Sequence, residues 1–285
     1  MTDKILITGS TGVVGQCLTS IFRINSVNYT APTRNDLDIK KLTSIPAYLD
    51  QVKPNIVVHL AAETNVDLCE IQRQHAILVN YEATKLIADY CKKFKARMIY
   101  VSTSGVLSGN NRYQHSELDI KNPGNFYALT KMRGEDYIES NLENYLIIRA
   151  AWMIGIGQNG SKKFAEKIYE QIASSVPQVK AVNNLYGSLT SGKRLAQFIF
   201  DTISTPSRDL VHCASNTVCS RYDIAKHIRA HTKSPTSILP VSACEFPLSA
   251  PRGFSEGLTS EIAHYKFNYT AFSWEEELDF FLGDL

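Results

Sequence analysis

Lys4-Ile-Leu-Ile-Thr8-Gly9-Ser10-Thr11-Gly12-Val13-Val14-Gly15 is the stretch that decides the fold of this chain. An apolar, β-branched run ends on three glycines spaced G-x-x-G-x-x-G, and an amphipathic helical pattern follows at about residues 13–22. A strand that turns directly into a helix aims free backbone N–H groups and the positive helix end at a phosphate. Gly9 permits the tight turn, and Gly12 lets a pyrophosphate approach the backbone of Ser10, Thr11, Val13 and Val14. Gly15 lets the helix pack closely. Three glycines in a loop mean little alone; their place after a strand, before a helix and at the head of a βαβ series marks a dinucleotide site.

Working outward, short apolar runs at residues 4–8, 28–32, 56–60, 97–102 and 145–149 alternate with helical patterns at 13–22, 42–52, 76–92 and 128–141. Ile56-Val-Val-His-Leu60 and Met98-Ile-Tyr-Val101 are nearly continuous apolar runs, as expected of strands covered on both faces. The alternation predicts an α/β protein, a Rossmann-type doubly wound parallel sheet with a smaller C-terminal substrate lobe. Residues 1–152 read as an NADP(H)-binding domain that also carries the catalytic groups. Residues 153–285 read mainly as a substrate lobe, with some elements returning to the sheet. Past Trp152 the glycines Gly155, Gly157 and Gly160 gather, a helix is expected over 162–174, and Ser273 is the expected N-cap of a last helix over 273–282.

The net charge of +2 is spread along 285 residues, which argues against a nucleic-acid footprint or a polybasic membrane patch. No apolar run reaches the ~18 residues of a membrane span and no leader pattern opens the chain, so a cytoplasmic protein is expected. Six cysteines show neither a C-x-x-C pair nor metal-ligand spacing; they read as free thiols of a reducing compartment, with no metal site. Gly187-Ser-Leu-Thr-Ser-Gly192-Lys193 imitates a P-loop, but Arg194 stands where a Ser or Thr must hold magnesium.

Two constellations carry the chemistry. At the end of the second strand stands Thr33-Arg34-Asn35-Asp36. A carboxylate roughly 20 residues past the glycine turn suits NAD, whereas an Arg suits the 2′-phosphate of NADP. Arg34 favours NADPH, and Asp36 keeps NADH in play. The second constellation is Tyr127-Ala-Leu-Thr-Lys131, which puts a phenol and an ammonium on one helical face. An adjacent Lys⁺ would lower the tyrosine pKa from ~10 and suit it to proton exchange with a carbonyl oxygen. Ser102-Thr103-Ser104 closes an apolar strand at the carboxyl edge of the sheet, where open α/β sheets bind ligands. Thr103 there can hydrogen-bond the same substrate oxygen.

Together these residues resemble the extended short-chain dehydrogenase/reductase family. The glycine turn, Leu60-Ala61-Ala62, the helix residue Asn80, the Ser102/Thr103 strand end and Tyr127/Lys131 carry the resemblance. The closer likeness is to the dTDP-4-dehydrorhamnose reductases. It rests on Leu37-Asp38-Ile39, Ala61-Ala-Glu-Thr-Asn-Val-Asp67, Arg149-Ala-Ala-Trp152, Tyr186-Gly-Ser-Leu-Thr190 and Ser273-Trp-Glu-Glu-Glu-Leu278. The resemblance implies reduction of a 4-keto, 6-deoxy sugar nucleotide by NADPH. Tyr127 would protonate the oxygen, Lys131 would hold the nicotinamide ribose and tune Tyr127, and Thr103 would orient the carbonyl. Asp38 and Ile39 would flank the adenine, and Ala61, Ala62 and Thr64 the pyrophosphate and riboses. Thr64, Val66, Ser104 and Trp152 would border the sugar. A homodimer would fit the family. An epimerase or epimerase-reductase, and a non-catalytic NADP-binding regulatory subunit, are the rival readings. The family's acidic residue and tyrosine after the catalytic threonine are Ser104 and Gly105 here, which implies a sugar or a nucleotide different from that of rhamnose synthesis.

Overall fold

The computed structural model describes residues 3–110, 112–157 and 163–285. Six parallel strands form the main sheet, in the order Arg208–Cys213, Tyr145–Ala150, Arg97–Thr103, Ile56–His59, Ile5–Thr8, Tyr29–Thr30. The order reverses between Ile5–Thr8 and Ile56–His59, and the crevice at such a switch point is where doubly wound sheets take their ligands. The glycine turn leaves the first of these strands and Leu60-Ala61-Ala62 leaves the second, so both frame that crevice.

Alternation along the first strand covers both faces. Ile5 and Ile7 pack with Leu18 and Phe22 of the helix Val13–Ile24 and with Leu195 and Ile199 of the helix Gly192–Thr202. Leu6 points the other way, into Ile45, Leu49, Ile87 and Tyr90. All of these are buried or nearly so, each contributing roughly 1.5–3 kcal/mol of transfer free energy. The Arg208–Cys213 strand and the Gly192–Thr202 helix come from the second half of the chain and complete the sheet and one of its layers. A third apolar cluster joins the helices Phe164–Ala173, Arg221–Thr232 and Trp274–Leu282 above the carboxyl edge.

Several expected elements differ in extent. The second strand is only Tyr29–Thr30, because Pro32 removes a donor and the chain turns at residues 34–36. The helix expected over 76–92 is interrupted by a π-helical turn, Leu78–Glu82, that carries Asn80. The helix expected over 162–174 spans Phe164–Ala173; Lys162 and Gly160 lie outside the described residues. The last helix, Trp274–Leu282, begins on Ser273 with a capping box to Glu276. The P-loop imitation is divided between the strands Tyr186–Gly187 and Leu189–Ser191 and the start of the next helix, whose N-cap is Ser191. Among the described residues no helix is long and apolar enough to cross a membrane.

Candidate active site

A single cleft of about 1560 Å³ runs across the carboxyl edge of the sheet. That exceeds the ~300–1,000 Å³ of a one-ligand pocket and suits two ligands laid end to end. Its floor at one end is the glycine turn. Gly9 has φ +72°, and a Cβ there would stand 2.6 Å from the Ala61 nitrogen. A Cβ on Gly15 would meet the Gly9 carbonyl oxygen at 2.4 Å, so the helix packs closely on the turn itself. Gly12 differs: its Cβ would find nothing nearer than the Gly9 oxygen at 3.4 Å. The protein does not need glycine at position 12 for its own packing, whereas a pyrophosphate lying on the backbone would. Gly12→Ala is therefore expected to leave thermal stability nearly unchanged and to weaken NADPH binding by about 10- to 100-fold. That is the ~1.5–3 kcal/mol of a hydrogen bond to a charged group, read by titration of the dinucleotide. Equal binding by the variant would remove the phosphate from this turn.

The turn and the facing loop are held by an ordered relay. The Ala61 amide donates to Thr8 Oγ1 at 3.3 Å, and Thr8 Oγ1 lies 2.7 Å from His59 Nδ1. His59 Nε2 lies 3.0 Å from Thr84 Oγ1, and Thr84 donates on to the Asn80 carbonyl at 2.9 Å. Because the Thr84 proton is committed to that carbonyl, Nε2 carries the imidazole hydrogen and Nδ1 accepts from Thr8. Burial holds His59 neutral, its pKa pushed down to about 3. Asn80 lies behind the cleft wall. Its amide accepts from the Glu63 nitrogen at 2.8 Å and donates to the Glu63 oxygen at 3.1 Å, so it fixes the backbone between Ala62 and Thr64.

Ser10, Thr11, Gly12, Val13, Val14, Arg34, Asp38, Ile39, Leu60, Ala61, Ala62, Thr64 and Ser102 all line this end of the cleft or its centre. Lys40 lines it too, which the sequence reading missed. Asp36 does not. Its carboxylate accepts from the Thr33 amide at 2.9 Å and the Thr33 hydroxyl at 2.6 Å, closing its own turn. Those bonds hold its carboxyl below the ordinary range. The expectation that Asp36 keeps NADH in play finds no support here, because the carboxylate caps its own turn and does not line the cleft.

The three residues expected to be catalytic, Thr103, Tyr127 and Lys131, line the cleft together. The Asn125 side chain caps the helix Phe126–Asn141, placing Tyr127 in its first turn and Lys131 one turn on. Thr103 ends the strand Arg97–Thr103, accepts the Gly105 amide at 3.1 Å and lines the cleft with Tyr127, whose phenolate its side chain favours. Lys131 is 3% exposed, with Nζ 3.9 Å from the centroid of the Tyr100 ring. Burial pushes its pKa down to about 7, partly opposed by the negative charge of Glu135. Tyr127 is only half-buried by surface area, yet its phenol is packed deeply enough that burial raises its pKa, with Cys69 and Glu256 adding to the rise. We expected a tyrosine lowered by lysine; the phenol is instead kept protonated. That state suits an acid, a donor of protons to a developing alkoxide.

Beyond Tyr127 the cleft opens to a second chamber that sequence reasoning saw only in part. The Trp152 ring lies on Gly187, where a Cβ would stand 2.6 Å from it. The Arg221 guanidinium sits 5.6 Å from the Trp152 ring and 4.8 Å from that of Phe164. Lys163 reaches across the cleft to Thr64 Oγ1 at 3.5 Å, and Arg252 pairs with Asp67 at 2.8 Å near Val66. Arg252 and Glu256 come from segments without motif or periodicity; Arg221 follows the capping box Ser220–Asp223 at a helix start, a signal for the helix and not for the cleft.

A parallel switch-point sheet, with a glycine turn and a Thr/Tyr/Lys cluster on one cleft at its carboxyl edge, marks a short-chain reductase, an oxidoreductase that works with a nicotinamide dinucleotide. The chain belongs to the RmlD substrate binding domain family, whose model matches residues 3–285. It is similar to the dTDP-4-keto-6-deoxy-D-glucose reductase of Streptomyces niveus, 31% identical over 79% of this chain and 77% of that protein. It is also similar to the methionine adenosyltransferase 2 subunit beta of Xenopus laevis, 26% identical over 83% of this chain and 78% of that one. A crystal structure of dTDP-4-dehydrorhamnose reductase from Yersinia enterocolitica superimposes with a TM-score of 0.94, 37% identity and 99% coverage of both chains.

Proposed function

We propose that the protein reduces the 4-keto group of a nucleotide-linked, 6-deoxy sugar with NADPH, in the making of a deoxysugar precursor for a surface polysaccharide. The observation that carries this reading is the continuity of one cleft from the glycine turn, through Thr103, Tyr127 and Lys131, into a chamber walled by Trp152 and by the cations Arg221 and Lys163. The first end has the shape and donors of a dinucleotide site. The second offers positive charge for a diphosphate and an indole face for a sugar or base. Arg34 on the cleft wall, with Asp36 off it, supports NADPH over NADH. The names of the relatives from Streptomyces and Yersinia support the substrate class.

When bound, the reduced nicotinamide would supply the hydride that converts the carbonyl carbon. Thr103 and Tyr127 would hold the carbonyl oxygen, and the protonated phenol would deliver its proton as negative charge develops there. Lys131, enclosed beside Tyr100, would stabilise the phenolate left behind and hold a ribose hydroxyl. The groups that face Lys131 are Glu135 on its own helix, His59 and the Tyr100 ring. With His59 neutral, the charge of Lys131 is the variable one near pH 7. The reduction is therefore expected to lose kcat/KM as pH rises through about 7, while Tyr127 stays protonated throughout. A rate profile that is flat from about pH 6 to about pH 9 would remove Lys131 from that role.

The function itself is tested by NADPH oxidation against a panel of nucleotide-linked 4-keto sugars. Turnover with one member names the substrate. No turnover with any, despite tight NADPH binding, overturns the reductase reading and favours a binding subunit like the Xenopus relative.

A further inference from the structure

Ser104 and Gly105 leave the loop after Thr103 without a carboxylate or a phenol, yet the cleft is not without an acid at that place. Ser104 is fully buried, and its hydroxyl donates to Glu256 Oε2 at 2.9 Å. Glu256 lies in the strand Ser255–Leu258, between the buried Ser255 and Gly257, and it alone of these three lines the cleft. Its strand register sets it opposite Gly187, the residue on which the Trp152 ring rests. The carboxylate is close enough to Tyr127 to disfavour the phenolate, and close enough to Arg221 to favour that guanidinium's charge. It lines the same cleft as the proton donor Tyr127 and the cation Arg221.

The other carboxylates on the cleft wall, among the described residues, are Asp38 and Glu63. Asp38 accepts the Lys40 amide at 3.1 Å, at the adenosine end. Glu63 accepts the Asn65 amide at 3.0 Å and faces His75 at 3.4 Å. Of the three, Glu256 is the one held by the residue that follows Thr103. A carboxylate has about four lone-pair sites, so one bond from Ser104 leaves Glu256 most of its accepting capacity.

We propose that Glu256, oriented by Ser104, is the specificity-determining residue of the sugar chamber. It accepts a hydrogen bond from the hydroxyl on the carbon beside the reacting carbonyl. This rests on the 4-ketoreductase reading above. Chemistry selects the hydroxyl. Of the two carbons flanking C4 in a 6-deoxy hexose, C5 bears a methyl group and the ring oxygen, and only C3 carries a hydroxyl. An acceptor placed beside Tyr127 on the side of the chamber meets that group first. A carboxylate can only accept, so it favours a C3 hydroxyl and rejects both a 3-deoxy sugar, which leaves the charge unpaired, and a bulky C3 substituent. Ser104 is a positioning residue: it holds one oxygen of Glu256 so that the other points into the cleft.

The test compares wild type with Glu256→Gln and Ser104→Ala, each saturated with NADP⁺. Binding of a nucleoside diphosphate 6-deoxyhexose, its 3-deoxy analogue and the free nucleoside diphosphate is measured by calorimetry. Steady-state reduction of the matching 4-keto sugars runs beside it. Wild type is expected to prefer the 3-hydroxy sugar by about 10- to 100-fold, the value of a charged hydrogen bond. Glu256→Gln should lose most of that preference, and Ser104→Ala part of it. Both variants should bind NADP⁺ and the free nucleoside diphosphate as wild type does, which shows that they are folded. An unchanged 3-hydroxy/3-deoxy ratio in Glu256→Gln overturns the assignment. Wild type that binds these sugars with the expected ratio but never oxidises NADPH overturns the reductase reading and leaves the role of Glu256 supported.

Discussion

Tyr127→Phe is expected to lower kcat for the reduction by about 10²- to 10⁴-fold while leaving NADPH affinity and the melting temperature close to wild type. The magnitude is that of a lost general acid, roughly 2.7–5.4 kcal/mol at 1.36 kcal/mol per tenfold. The change removes one hydroxyl from the cleft lining. The ring, the helix cap at Asn125 and the buried neighbours Ala128 and Thr130 stay in place. The loss should fall on kcat more than on KM, because the proton is needed only as charge develops on the carbonyl oxygen. Stopped-flow single turnovers with the matched 4-keto sugar would show the effect directly. A variant within threefold of wild type would mean that the proton comes from elsewhere, with bound water the first candidate.

The parts of this molecule that were legible in sequence are those where backbone chemistry demands a residue type at a fixed spacing. Gly9 and Gly15 are such positions, because a Cβ would strike the backbone at either. Ser273 with Glu276 is another, because a capping box satisfies orphan amides locally. Tyr127 and Lys131 share a helical face by periodicity alone. What sequence could not show depends on tertiary context. The direction of the Tyr127 pKa was misjudged because the spacing to Lys131 says nothing of burial, and here burial outweighs charge. Asp36 keeps NADH in play by spacing alone, but in the fold its carboxylate caps the Thr33 turn away from the cleft. Glu256 lies in a segment of short strands with no periodic signal, and its partner Ser104 is far away along the chain. Such a pairing is created by the fold, and one sequence without its relatives carries no trace of it.

Arg149→Met is expected to be the most destabilising single change proposed for this chain. Arg149 is 1% exposed and lies in the strand Tyr145–Ala150; Glu135, fully buried, faces it from the helix that carries Tyr127 and Lys131. The guanidinium grips both carboxylate oxygens, Nε to Oε1 at 3.0 Å and Nη2 to Oε2 at 2.8 Å. Its Nη1 lies 3.3 Å from His212 Nε2. The Thr259 carbonyl 2.9 Å from His212 Nδ1 can only accept, so Nδ1 carries the proton and Nε2 accepts from Arg149. The variant would strip all three bonds and leave Glu135 in direct ion pairing with Lys121 at 3.2 Å. Breaking a buried pair from one side costs about 3–5 kcal/mol, a large share of the ~5–15 kcal/mol that holds a domain folded. In the native protein Arg149 holds the Glu135 carboxyl below its ordinary range against the opposing effect of burial. Without Arg149, burial would dominate and the folded pKa would rise above the unfolded one. The loss should then be smallest at acid pH, where Glu135 is neutral, and grow as pH rises through the new pKa. Thermal melts of wild type and variant at about pH 5 and about pH 8 would read this as a widening gap. Arg149→Met combined with Glu135→Leu should recover much of the stability, since the uncompensated charge and not the missing bonds carries most of the cost. The double variant would also take from Lys131 the negative charge that sustains its protonation. It should therefore fold and bind NADPH, yet lose activity at a lower pH than wild type does. Recovery of stability with an unmoved pH profile would separate the Arg149–Glu135 pair from the catalytic centre.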